Sequence, residues 1–397
     1  MTFSDLENYI NQHFLVADRG IVRLICATVI ANRLQGDPVW LFVIAPSSGL
    51  KSEIIRALDG VTGIYPLSSL TPRTLISGQR ASTGEETSLL KKMLPSSIFT
   101  FKDLTTVLQM NHTDRDAILG QLREVYDGQF RKSFGNGLDV DWQGKVGFIS
   151  GVTEAVDIYQ GMYSILGERF LQYRMKQPNR KEATEAGIKN ASKIMEIRKQ
   201  AATLFKDYLD NLTIPVSAPE LAQDWIKEIV DLSEFATLAR SGNVIRDSKT
   251  HEIEHRFSPE MPIRFAKQIQ LLAEAFTVMG QEPDDRNILR KIAISSLPKN
   301  RIEIIKVLIK ENLEPNQASD EEDKNVEVIE IVEDPNEWTT RDVGLALRAS
   351  TSYARRHLQD LESLEIATRR KGKNDIWQIN EGYKSFFEKY FPDGFNL

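Results

Sequence analysis

Apolar positions keep two different rhythms along this chain, and the change between them divides it. Residues 1–36 carry the helical rhythm, with Ile21, Leu24, Ile25, Val29 and Ile30 recurring on one helix face. From residue 37 onward, unbroken apolar runs alternate with helical stretches. Val39–Ile44, Ser97–Phe101 and Lys145–Ile149 read as strands; Glu53–Leu58 and Arg115–Tyr126 read as helices. Apolar strands separated by helices predict an α/β fold with a mainly parallel sheet. Beyond Gly167 the pattern turns almost wholly helical. A long charged periodic stretch covers Glu182–Leu212, and a second block covers Pro262–Glu311 after the polar break Ser241–Arg256.

Residues 314–336 break both rhythms. They are acidic and poor in aromatics, which predicts a solvated linker, with the apolar alternation Val326–Val332 as its one exception. A small unit follows. Trp338–Val343 opens a helix with a threonine near its N-cap, Ser350-Thr351-Ser352 makes a turn, and Tyr353–Leu361 forms the next helix. Ile366–Arg370 and Asp375–Ile379 then flank the basic turn Lys371-Gly372-Lys373-Asn374 as a hairpin. Two helices and a β-wing make a winged-helix pattern. The expected organisation is an N-terminal helical segment (1–36), an α/β core (37–181), a helical lid region (182–313), the linker (314–336) and a winged helix (337–397).

Composition narrows the class. A chain of 397 residues, 41% hydrophobic, has the length for two or three cores. No apolar run approaches the roughly 18 residues that span a bilayer, and Asp5 and Glu7 stand where a leader peptide would carry basic and apolar residues. The single cysteine, Cys26, excludes an internal disulfide framework and reads as core. These features predict a cytoplasmic protein without membrane partners. The net charge of −6 means that any contact with DNA must come from local basic patches.

The densest chemistry follows the first strand. Ala45-Pro46-Ser47-Ser48-Gly49-Leu50-Lys51-Ser52 runs from strand into helix with the layout of a phosphate-binding P-loop. In such a loop backbone N–H groups wrap the phosphates, the lysine meets the terminal phosphates and the Ser hydroxyl holds Mg²⁺. Ala45 and Leu50 stand where the pattern asks for glycine, so a Ser-rich helix-capping turn is the competing reading. Asp103 closes the Ser97–Phe101 strand and supplies the carboxylate that would share Mg²⁺ with Ser52. Leu104 occupies the place of a following glutamate, so either Asp103 does both jobs through water, or another acid such as Glu53 or Glu124 helps, or hydrolysis is weak. Asp103 also fits a plain helix cap.

In this order the pieces resemble the AAA+ class of ring ATPases over about residues 20–310. The resemblance extends to minichromosome-maintenance helicases and to the primase- or helicase-like AAA+ ATPases of phages and mobile elements. Lys102-Asp103-Leu104-Thr105-Thr106, Leu122–Gly128 and Gly167-Glu168-Arg169-Phe170 carry it. The resemblance implies that Thr153, at the end of the third strand, positions water beside the γ-phosphate. It implies that Arg169, with Arg174 second, reaches a neighbour's nucleotide as an arginine finger. In the segment Pro262–Gln268 it implies a lid helix whose Arg264 contacts the γ-phosphate, from a side left open. A ring, hexameric by the same likeness, binds ATP between subunits and cooperates with other replication proteins.

Two surfaces are candidates for DNA. The resemblance makes Asp127–Gly137 a hairpin projecting into the ring channel, with Arg131 and Lys132 on phosphates and Phe130 or Phe134 stacking on a base; an ordinary surface hairpin is the alternative. In the C-terminal unit Ser350, Ser352, Tyr353, Arg355, Arg356, Arg369, Arg370, Lys371 and Lys373 are the candidate contacts. A winged helix that binds protein or packs on a core remains open. His251-Glu252-Ile253-Glu254-His255 lacks the spacing of a zinc helix and reads as a solvated loop. The expected activity is an ATP-dependent DNA helicase or replication-initiation motor. A nucleotide-dependent DNA-binding switch, such as a regulator or helicase loader, and an interaction protein with a vestigial loop are the rivals.

Overall fold

The computed structural model describes residues 1–79, 88–94, 96–159, 168–242, 244–247, 249, 253–256, 258–309 and 337–395. Leu166 and Gly167, His251 and Glu252, and the linker 314–336 with its Val326–Val332 alternation lie outside the described residues. The chain forms two compact units, residues 1–230 with 263–292, and residues 231–262 with 293–397.

The first unit begins with α1 (Phe3–Phe14) and α2 (Gly20–Arg33), then β1 (Trp40–Ile44), α3 (Lys51–Arg56), β2 (Ile64–Leu67), α4 (Leu89–Lys92), β3 (Ser97–Phe101), α5 (Thr105–Leu108) and α6 (His112–Tyr126). The hairpin β4 (Gln129–Ser133) and β5 (Asp139–Gln143) precedes β6 (Val146–Val152), a short 3-10 helix (Glu154–Tyr159) and β7 (Phe170–Arg174). Then come α7 (Arg180–Asn190), α8 (Ile194–Asp210) and α9 (Gln223–Arg240). The chain continues through β8 (Val244–Arg246), β9 (Ile253–Arg256), α10 (Ile263–Met279), α11 (Asp285–Ser295) and α12 (Lys299–Leu308), of which β8, β9 and α12 belong to the second unit.

The molecule is mixed α/β, built on a parallel five-stranded sheet in the order β2-β3-β6-β1-β7. Three of those strands follow the apolar runs seen in the sequence. The other two correct the expectation: β2 is short and half-exposed, and β7 lies where the sequence pattern had turned helical. Both strand faces are covered, so β1, β3 and β6 are buried at every position and read as continuous apolar runs. On one face Trp40, Phe42, Phe99, Phe148 and Phe170 pack with Leu119 and Leu122 of α6 and with Phe130, Val140 and Trp142 of the hairpin. On the other face α2 packs on β3 and β6, and α10 packs on α2. No helix among the described residues is long and apolar enough to cross a membrane.

The second unit holds β10 (Trp338–Thr339), α13 (Thr340–Ala346), α14 (Thr351–Ser363), β11 (Ala367–Arg370), β12 (Ile376–Ile379) and α15 (Glu381–Tyr390). The strands form an antiparallel sheet in the order β10-β12-β11. Thr339 caps α13 in a reciprocal pair with Asp342, and the Ser350 hydroxyl accepts the Tyr353 N–H to start α14. Residues 337–395 do not stand apart: α12 packs against α13, α14 and β12. Within the polar break, Val244–Arg246 pairs antiparallel with Ile253–Arg256.

Candidate nucleotide site

Parallel pairing sets the C-terminal ends of β1, β6 and β3 side by side, with Ile44 opposite Val152 and Phe101 opposite Ser150. β1 crosses to β2 in one direction along the sheet, whereas every later crossover runs the other way. Under the right-handed rule those connections leave on opposite faces, which opens a crevice beyond the ends of β1 and β6. The loop 45–50, Asp103 and Thr153 all follow these strand ends.

Ala45 continues β1, its N–H donating to the Val152 carbonyl at 3.2 Å, while Pro46, Ser47 and Ser48 are exposed. Ser48 (φ 63°) and Leu50 (φ 61°) are both left-handed without being glycine, a conformation that costs roughly 1–2 kcal/mol per residue. Between them, a Cβ on Gly49 would stand 2.9 Å from the Pro46 carbonyl and the Gln177 Oε1. Alternation of this kind turns successive N–H groups toward one concavity, a backbone nest for anions. Among the described residues, the N–H groups of Ser47, Ser48, Leu50 and Ser52 donate to no other protein group. Leu50 thus takes the backbone conformation for which the pattern reserves glycine.

Lys51 opens α3 and is only 4% exposed, with Nζ donating to the Ala45 and Pro46 carbonyls at 3.2 Å each. Burial lowers its pKa and the Asp103 carboxylate opposes that shift, which sets the two charges near each other. Gly151 makes room for this lysine. A Cβ there would run into the Lys102 carbonyl and stand 3.1 Å from the Lys51 Cδ. Sequence reasoning passed over Gly151, although a glycine inside an apolar strand marks a close backbone approach.

Asp103 is half-buried, and its Oδ1 accepts the Thr105 N–H at 3.0 Å. It therefore takes up the first N–H of α5, and its charge acts on Lys51. Leu104 is fully buried in the core, so the place of a second acid points away from the crevice. Of the two substitutes, Glu53 accepts two hydrogen bonds from Arg198 at 2.7 Å, and Glu124 is exposed beside Arg123. The Thr153 N–H donates to Thr105 Oγ1 at 3.0 Å. Ser52 is half-buried, and its hydroxyl and the second oxygen of Asp103 are the oxygen donors that could be offered to a Mg²⁺ ion whose other ligands would be phosphate and water. Among the described residues no group of three or more His, Cys, Asp or Glu side chains gathers to hold a metal on its own.

Arg169, expected to reach a neighbour's nucleotide, and Arg264, whose side was left open, both lie away from the Lys51 loop of their own chain. Arg169 precedes β7, so it stands at the N-terminal edge of the sheet, about 16 Å of strand away from the Lys51 loop. It is 5% exposed, donates three hydrogen bonds to Asp127 (3.3, 2.9 and 2.8 Å) and sits over the Tyr126 ring. Arg264 is at the same edge: it acts electrostatically on Tyr126, and Gln268 of the same helix donates to the Arg169 carbonyl at 2.8 Å. Neither reaches the Lys51 loop of its own chain. Arg174 does end at that loop's edge, opposite Ile44, where it pairs with Asp157 at 2.6 Å.

The β4–β5 hairpin corrects a second expectation. Its residues alternate, and the inward set includes both aromatics proposed to stack on bases. Phe130 is buried in the sheet core, and Phe134 lies so close to Gly78 that a Cβ there would meet its ring. Lys132 sits over the Phe134 ring, and Arg131 pairs across the hairpin with Asp141 at 2.8 Å. An outward face carrying Asp139 and Asp141 beside Arg131 offers no basic patch.

In the C-terminal unit, Ala354, Leu358 and Leu361 bury one side of α14 and leave Ser352, Arg355 and Arg356 exposed, with Tyr353 edge-on to His357. Arg246 of β8 grips the outer side of the helix, donating to the Arg356 carbonyl and the Gln359 amide oxygen at 3.1 Å each and pairing with Asp360. Arg369 is committed to Glu362 and Asp375 over the Trp377 ring, and Arg370 pairs with Glu337. Lys371 and Lys373 at the hairpin tip are exposed. No family model matches this chain, and no curated protein matches it.

Proposed function

We propose that this chain is an AAA+-type ATPase acting on DNA, a ring-forming motor of the helicase or replication-initiation kind. One observation carries the reading. The unpaired N–H groups of the 45–52 loop, Lys51, Ser52, Asp103 and Thr153 all converge beyond the ends of β1, β3 and β6, in the crevice where an α/β sheet binds its ligand. Lys51 would exchange its two long bonds to loop carbonyls for phosphate oxygens. Ser52 and Asp103 would hold Mg²⁺, which supplies charge neutralisation at the phosphates.

Arg169 and Arg264 share the opposite edge of the sheet. Any nucleotide they would serve is a neighbouring copy's, and for Arg169 that requires release from Asp127. This favours a ring in which one subunit supplies Lys51 and the next supplies both arginines. The helix pair α13–α14 with the β11–β12 hairpin supports a winged-helix reading, in which Ser352, Arg355 and Arg356 approach bases while Lys371 and Lys373 touch the backbone. DNA engagement is assigned to that unit, since the β4–β5 hairpin turns its aromatics into the core.

A slow nucleotide-dependent switch is the second reading. It is favoured by Leu104 in the core and by Arg198 holding Glu53, which leave the strand end with one acid. ATPase rates with and without single- and double-stranded DNA, for the wild type and Lys51→Ala, separate the two. DNA-stimulated turnover that Lys51→Ala abolishes supports the motor. ATP binding without turnover selects the switch, and no nucleotide binding refutes both.

A further inference from the structure

With Leu104 in the core, the polar groups at the end of β3 need another organiser, and one residue holds both Asp103, by its backbone, and Thr153, by its side chain. Thr105 is 6% exposed, between the two strand ends. Its N–H holds Asp103 Oδ1 at 3.0 Å, its Oγ1 accepts the Thr153 N–H at 3.0 Å, and the same Oγ1 lies 3.3 Å from Thr153 Oγ1. We propose that Thr105 is the positioning residue of the hydrolytic site, fixing Asp103 and Thr153 in one geometry; the inference rests on the ATPase reading above.

The hydroxyl inventory carries the argument. A threonine hydroxyl has one proton to donate and two lone pairs. Thr105 Oγ1 spends one lone pair on the Thr153 N–H. When its proton goes to Thr153 Oγ1, the Thr153 proton has to point elsewhere. Thr105 is buried and Thr153 is half-buried, so the direction left open is the crevice. There the Thr153 hydroxyl can donate to a phosphate oxygen or hold a water by its remaining lone pair. On the other side, the Thr105 N–H engages one carboxylate oxygen of Asp103 and leaves the second for the cation. Both arms start from one residue at the mouth of α5, so displacement of either strand end moves the other.

The test uses the full chain with Thr105→Val, Thr105→Ser, Thr153→Val and the double valine variant. Thr105→Val keeps the backbone bond to Asp103, removes the hydroxyl and leaves the Thr153 N–H unpaired. kcat should fall roughly 10- to 100-fold, the usual effect of losing an orienting partner. The Kd for ATP should move by less than about threefold, because the groups that bind the triphosphate are untouched. Thr105→Ser restores the hydroxyl and should bring kcat back to within about threefold of the wild type. The double variant should be no slower than Thr153→Val alone, because both substitutions break one unit. Wild-type turnover with an unchanged Thr105→Val overturns this inference alone. So does a Thr105→Ser as slow as Thr105→Val with an equal drop in melting temperature, which is a folding role. A wild type that turns over no ATP with DNA present overturns the ATPase reading and this inference together.

Discussion

The two edges of the central sheet treat polar groups in opposite ways. At the N-terminal edge most are tied to partners inside the chain, although the Tyr126 hydroxyl and Gln268 Oε1 are buried without a hydrogen bond among the described residues. Arg169 is locked to Asp127, Gln268 holds the Arg169 carbonyl, and Lys145 donates to the Ala31 and Leu34 carbonyls that end α2. At the C-terminal edge the loop keeps two left-handed non-glycine residues, N–H groups without protein partners and a buried lysine on two long bonds. Stability alone would select the first arrangement. Left-handed non-glycine residues also precede β3 and β7, at Ser96 and Glu168, so it is the unspent N–H groups and the lysine on two long bonds that set the C-terminal edge apart. Under the proposed reading that edge holds the ligand and the other serves as scaffold.

The largest expected effect strikes the C-terminal edge. Lys51→Ala should abolish ATP turnover, a loss of at least about 100-fold, measured as phosphate release, while the melting temperature stays near that of the wild type. Arg169→Ala sharpens the contrast between edges. It should keep ATP binding and lose turnover, and mixing it with Lys51→Ala should restore part of the activity. In mixed rings the intact Lys51 of one variant meets the intact Arg169 of the other. Activity that never recovers on mixing would remove the trans assignment.

Smaller effects are structural. Gly151→Ala pushes a methyl into the Lys102 carbonyl and the Lys51 stem and should cost roughly 1–3 kcal/mol by denaturant unfolding. Leu50→Gly relieves a left-handed residue and should stabilise the chain by up to about 1 kcal/mol while preserving ATP affinity. A further effect tests the N-terminal edge by pH. Burial lowers the Lys145 pKa from 10.5 to about 8. Between those values the unfolded chain binds the proton that the folded chain has released, so stability rises with pH across that window. The unfolding midpoint of Lys145→Met should lack this rise.

How much the sequence revealed depended on what each residue does in the fold. Continuous apolar runs announced β1, β3 and β6 because both faces of those strands are covered. β2 was hidden by Pro66 and partial exposure, and β7 by the charged neighbours Arg169 and Arg174, whose partners Asp127 and Asp157 are distant in sequence. Lys51 and Asp103 were legible because each follows an apolar strand. Thr105 and Gly151 were not, since one acts by bridging two strand ends and the other by having no side chain. Phe130 and Phe134 misled because strand alternation, not aromatic character, decides which side faces water.

The central claim, a triphosphate site at the C-terminal edge, is tested most directly by titrating a fluorescent ATP analogue with Mg²⁺ into the wild type, Lys51→Ala and Asp127→Asn. The account predicts saturable binding by the wild type, affinity lowered at least about tenfold, or about 1.4 kcal/mol, in Lys51→Ala, and unchanged affinity in Asp127→Asn at the other edge. Equal binding by the wild type and Lys51→Ala, or no binding by the wild type, would contradict it.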